Sequence, residues 1–129
     1  MYELKVRTRF AAAHFLNDYS GPCARLHGHT WKVEVAVQGR DLDHRGILVD
    51  FNDIKSSIKN IIGALDHRNL NDIEPFKAVN PTAENLARYI YEQLKPKLAY
   101  RERGIEITSV RVWESPDASA TYMGVGETN

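Results

Sequence analysis

Two long stretches of alternating apolar and polar residues constrain this chain more than anything else in it. Leu4, Val6, Thr8 and Phe10 are interleaved with Lys5, Arg7 and Arg9, and Trp31, Val33, Val35 and Val37 with Lys32, Glu34 and Gln38. Successive side chains on a strand point to opposite faces, so a period of two marks a strand with one face buried. The first stretch runs on through Ala11-Ala12-Ala13-His14, and the turn formers from Asn17 to Pro22 separate it from the second. The pair reads as a long antiparallel hairpin with Cys23 in a loop near one end.

Downstream the period changes. Phe51, Ile54, Ile58, Ile61, Ile62 and Leu65 recur at helical spacing behind Asp50 or Asn52, either of which can cap the helix, and Gly63 is a weak point in it. Asn80-Pro81-Thr82-Ala83-Glu84 opens a second helix, which Leu86, Ala87, Ile90, Tyr91 and Leu94 continue until Pro96. Ile105 to Val112 is a third strand leading into Trp113-Glu114, and Ala118 to Val125 a short fourth. The order strand-strand-helix-helix-strand-strand predicts an α+β fold: an antiparallel four-stranded sheet with two helices on one face, in a single domain over residues 1–129.

Lysine plus arginine and aspartate plus glutamate number 17 each, and the basic residues are scattered along the chain. Neither nucleic acid nor a membrane is expected as a partner. No apolar run approaches a membrane span, and Met1 to Lys5 lacks the apolar core of a signal peptide. A lone cysteine cannot form an internal disulfide, which suits the cytoplasm.

Chemistry concentrates in Cys23-Ala24-Arg25-Leu26-His27-Gly28-His29. His27 and His29 project to one face of an extended segment, and the hairpin can bring His14 beside them. Three histidines with a fourth position open are a catalytic zinc pattern, although imidazole also suits iron, nickel and copper. The nearby thiol can act as base or nucleophile. Asp66-His67 is a carboxylate-oriented imidazole suited to proton transfer, provided a loop or helix end makes the two converge. Glu114 can grip a flat heterocycle through two N–H groups. Taken singly, His14 reads as a packed strand residue, His67 as a helix-end charge and Glu114 as a solvated acid; the combination favours a metal-dependent site. His44, Thr82 and Glu84 read as turn and capping residues.

In their order and spacing, several segments resemble the 6-pyruvoyltetrahydropterin synthase family: Phe10 to His14, Cys23 to His29, Val49-Asp50-Phe51, Leu65 to Asn71, Asn80 to Asn85 and Trp113-Glu114. The nearest likeness is to its bacterial branch, the 6-carboxy-5,6,7,8-tetrahydropterin synthases of queuosine (7-deazaguanine) biosynthesis, in which three residues separate the cysteine from His-Gly-His, as here. The resemblance implies Zn2+ held by His14, His27 and His29, Cys23 as proton acceptor, Asp66 and His67 as its relay, and Glu114 as anchor of the pterin ring. It also implies a tunnelling fold (T-fold) whose barrel closes by self-association, as a homohexamer of two stacked trimers with active sites between subunits. The implied reaction converts 7,8-dihydroneopterin triphosphate to 6-carboxytetrahydropterin, acetaldehyde and triphosphate. The alternatives are a pyruvoyl-forming or sepiapterin-cleaving activity on the same fold, and a non-catalytic pterin-binding module.

Overall fold

A computed structural model describes residues 1–125; the last four residues of the expected domain lie outside the described part. The alternating stretches form β1 (Tyr2–His14) and β2 (His27–Gly39), paired antiparallel over their full lengths from Tyr2 opposite Gly39 to His14 opposite His27. In this register Phe10 faces Trp31 and Ala12 faces His29, so apolar residues from both strands meet on one face. Trp31, Val33, Val35 and Val37 are wholly buried there.

Two helices cover that face. Helix α1 (Phe51–Gly63) is capped by Asp50, whose carboxylate accepts from the Asn52 N–H at 2.8 Å, and it buries Ile54, Ile58, Ile61 and Ile62. Phe51 lies in the first turn and stays half exposed, so the packed stripe begins one turn later than its periodicity indicates. Helix α2 (Ala83–Leu94) is capped by the Thr82 hydroxyl and buries Leu86, Ala87, Ile90 and Leu94.

The sheet has five strands in the order β3-β1-β2-β4-β5. Strand β3 (Arg68–Asn69) pairs parallel with Ala12 and Ala13 of β1; β4 (Glu106–Ser115) and β5 (Ala118–Tyr122) continue antiparallel beyond β2. The fourth strand expected over 118–125 thus ends at Tyr122. The extra strand β3 is too short for any periodicity to announce it. Since β3 covers only Ala12 and Ala13, most of β1 is left as an open edge. Among the described residues no helix is long and apolar enough to cross a membrane.

Candidate active site

His14 ends β1 and His27 begins β2, so the hairpin register alone sets them side by side, with His29 one step along the same face. Trp31 forms the floor: its ring meets those of His14 and His29 edge-on, with centroids 4.9 and 5.2 Å away, and its indole N–H donates to the Ala12 carbonyl. The rings of His14, His27 and His29 are mutually edge-on, 4.6 to 5.1 Å apart.

Which nitrogen carries the proton follows from the outer contacts. His14 Nδ1 lies 2.7 Å from the Pro81 carbonyl, and His27 Nδ1 lies 2.7 Å from the Arg25 carbonyl. A carbonyl can only accept, so both Nδ1 atoms are donors. In the neutral rings each Nε2 then bears a lone pair, and these two Nε2 atoms face each other 3.0 Å apart. Two lone pairs at that distance repel unless a cation lies between them. Burial is the largest influence on His14 and lowers its pKa; His27 and His29 push the same way, while the Pro81 carbonyl and Glu114 oppose them. Burial likewise lowers that of His29 against the pull of Glu114. The neutral, ligating form is therefore favoured, and a carbonyl on the far nitrogen is the usual brace of a metal-bound imidazole.

Glu114 completes the cluster. Its Oε1 lies 3.1 Å from His29 Nε2 and 3.4 Å from His14 Nε2. The His29 contact lacks the alignment of a hydrogen bond, so His29 Nε2 is buried without a hydrogen-bond partner. One donor atom from each of His14, His27, His29 and Glu114 falls within 4.8 Å of the others, an arrangement that could hold a metal ion.

The other expected residues are not among these donors, though His67 borders a cavity that His29 also lines. Cys23 is half-buried in a single helical turn, Pro22–Ala24, and is not one of the four mutually close donors. Asp66 and His67 do converge, because His67 adopts a left-handed backbone (φ 59°) that brings its Nδ1 to 3.0 Å from Asp66 Oδ2. The pair is fastened to β1: the Ala11 N–H donates to Asp66 Oδ1 at 2.9 Å, and the Ala11 carbonyl accepts from the His67 N–H. The Ala11 bond is the largest cause of the lowered Asp66 pKa, with His67 next. Within one chain this exposed dyad makes no hydrogen bond or ion pair with the histidine cluster.

Two asparagines that the sequence reading gave no role hold the loop between the strands. Asn71 accepts from the Phe15 N–H and donates to the Phe15 carbonyl, and Asn80 does the same for Asn17. Each amide imitates a strand partner, so residues before and within the second helix start position the segment that leads to Cys23. The segments Leu65 to Asn71 and Asn80 to Asn85 had singled out these residues without revealing their task.

The sequence profile of the family described as 6-pyruvoyl tetrahydropterin synthase matches residues 3–125. The chain belongs to that family. It is 36% identical over 126 residues to the 6-carboxy-5,6,7,8-tetrahydropterin synthase of Bacillus subtilis, covering 94% of this chain and 84% of the relative. It is 34% identical over 108 residues to a dihydroneopterin monophosphate aldolase of Pyrococcus furiosus, covering 84% and 85%. The 6-pyruvoyl tetrahydropterin synthase structure from Caenorhabditis elegans superposes with a TM-score of 0.85 at 28% identity, over 96% of each chain. The α+β architecture is thus the tunnelling fold of the 6-pyruvoyl tetrahydropterin synthase family.

Proposed function

We propose that the chain is a zinc-dependent lyase that converts 7,8-dihydroneopterin triphosphate to 6-carboxy-5,6,7,8-tetrahydropterin, acetaldehyde and triphosphate, on the route to 7-deazaguanines. The observation that carries the metal is the pair of inward lone pairs on His14 and His27, 3.0 Å apart. The carboxy-forming reaction rests on the Bacillus subtilis relative and on the three-residue spacing between Cys23 and His27.

His14, His27 and His29 would hold the zinc, which when bound supplies Lewis-acid polarisation of the substrate's side-chain oxygens. Cys23 takes a proton from the adjacent carbon. His67 returns one: with Nδ1–H directed at Asp66, its Nε2 is the free proton carrier, and Asp66 fixes that tautomer. Such a relay contributes roughly 10²–10⁴ in rate. Glu114 accepts N–H groups of the pterin ring, so its carboxylate turns from the histidines toward the ring when substrate enters.

Within a single chain no hydrogen bond or ion pair joins the dyad to the histidine cluster, although His67 and His29 border one open cavity, and β1 presents an open edge. Both features support self-association in which one chain's Asp66-His67 serves another chain's histidines, with a homohexamer as the assembly.

The test is incubation of the zinc-loaded protein with 7,8-dihydroneopterin triphosphate, followed by mass analysis of the pterin and an acetaldehyde assay. Carboxytetrahydropterin with acetaldehyde is expected. A pyruvoyl product would move the chain to the sister activity, and no turnover by an intact, zinc-loaded oligomer would overturn the reading.

A further inference from the structure

Where the chain leaves β1, every residue from His14 to Asn17 is fastened to another part of the molecule. His14 donates through Nδ1 to the Pro81 carbonyl, Phe15 exchanges both backbone groups with the Asn71 amide, and Asn17 does so with the Asn80 amide. Leu16, between the two clasped residues, donates its N–H to the Cys23 carbonyl at 2.9 Å. The neighbouring backbone bonds, from Ala24 to the Gly21 carbonyl and from Arg25 to the Pro22 carbonyl, close on the cysteine loop itself. The backbone of Cys23 therefore hangs on a residue that is gripped from both sides.

The clasp on Asn17 and the brace on His14 come from consecutive residues, Asn80 and Pro81. These two cannot move independently. The pyrrolidine ring fixes the φ of Pro81 and confines Asn80 to extended backbone. The Asn80 carbonyl accepts from the Thr82 N–H and from Asn85 Nδ2, both at 2.9 Å, which pins it to the start of α2. One end of this short rod is interior, since Pro81 is buried and His14 is 1% exposed; the other end reaches the exposed Asn17.

We propose that Asn80 is a positioning residue for Cys23, and that Asn80 and Pro81 together couple occupation of the histidine cluster to the placement of that thiol. With its Nε2 engaged by an ion, His14 has its Nδ1–H committed to the Pro81 carbonyl. Asn80 carries that constraint to Asn17, and Leu16 carries it to Cys23. The coupling is reciprocal: whatever order an ion confers on the loop, the ordered loop returns as affinity for the ion. This rests on the lyase reading only in taking Cys23 as the working thiol, because the contacts join the donor cluster to the loop whatever reaction runs there.

Amide hydrogen exchange of the intact protein, metal-free and zinc-loaded, tests the coupling without substrate. An amide that exchanges through local opening gains protection from a ligand only if that opening disturbs the ligand's site. The Leu16 amide reports the bond to Cys23 directly. Leu16 and Asn17 are expected to exchange about tenfold more slowly with zinc, the equivalent of roughly one hydrogen bond. Gly46, whose N–H donates to the Asp43 carbonyl beyond the far end of β2, should not respond. In Asn80→Ala, zinc should still bind, with affinity reduced by up to the same factor in competition with a chromophoric chelator, and its effect on Leu16 should vanish. Asn80→Asp keeps the acceptor for the Asn17 N–H but loses the donor to its carbonyl, and should recover part of that effect; a merely structural role would not make the zinc response follow the acceptor. Equal exchange of Leu16 and Asn17 with and without zinc in the wild-type chain would overturn the coupling, and that measurement needs no variant to fold. A full zinc effect in Asn80→Ala would overturn the role of Asn80. A chain with no lyase activity can pass these tests and an active lyase can fail them, so the two readings fail separately.

Discussion

Of the five histidines of this chain, all but His44 fall into two groups held in different ways. His14, His27 and His29 sit on neighbouring strand positions, are braced by the Pro81 and Arg25 carbonyls and Trp31, and His14 is 1% exposed. His67 shares only the Asp66 carboxylate, on a left-handed turn at the sheet edge, with its side chain 81% exposed. The first group is assembled by one chain and aimed inward, as a metal needs. The second is oriented but uncovered, as a proton carrier needs if its target belongs to another molecule. Under the proposed function, preorganisation is complete within one chain for the metal-holding histidines and left to self-association for the Asp66-His67 pair.

The contrast can be broken most severely at the ligands. His27→Ala should lower metal affinity by more than about 100-fold, beyond the loss that follows removal of an outer brace alone. Metal content after dialysis reads this, and a stoichiometric metal complement would remove His27 from the set. Next comes the relay. His67→Ala should retain metal yet lose roughly 10²–10⁴ in turnover, and mixing it with Cys23→Ala chains should restore part of the activity. Failure of every mixing ratio, with mixed oligomers demonstrated, would place the dyad and the thiol in one chain's site. Asn71→Ala strips the Phe15 N–H and carbonyl of their partners and should cost about 2 kcal/mol by urea unfolding; a change near zero would show that the clasp is not needed for the loop.

The smallest effect concerns Asp66. Its folded pKa lies below the ordinary 3.8, so the stabilisation it gives is present above 3.8 and lost as pH falls through the depressed folded value. In His67→Ala, the carboxyl resonance followed by NMR should titrate closer to 3.8, and by a modest amount, because the Ala11 N–H remains the larger cause. No movement at all would show that the dyad contact is not made in solution.

How much was legible in the sequence follows from the range of each interaction. The hairpin and both helices declare themselves because a repeated burial period is written into consecutive residues, and the register then places His14 beside His27 and His29 without further information. Strand β3 was not legible, since two residues carry no period. Phe51 satisfied the helical pattern yet remains half exposed, because period says nothing about where the sheet beneath ends. The amide clasps of Asn71 and Asn80 join residues 56 and 63 apart in the chain, a distance at which spacing is silent. Glu114 could be singled out in the sequence, but its approach to His29 depends on β4 lying beside β2 with Trp113 opposite Lys32. Scattered in sequence, Arg7, Arg9, Lys32 and Arg111 gather on the sheet face turned away from the helices through strand pairing, which a zero net charge cannot reveal.

The bond from His14 to the Pro81 carbonyl spans 67 residues and reaches from the end of β1 to the residue before the cap of α2. The hairpin register sets the histidines together, but the brace that fixes the His14 tautomer is complete only when the start of the second helix lies against the hairpin. An ion that binds there works as a removable cross-link across the fold, adding stability in proportion to the logarithm of its concentration above the dissociation constant. Chelation would then be felt first at the mouth of α2, far along the chain from the histidines that release the ion.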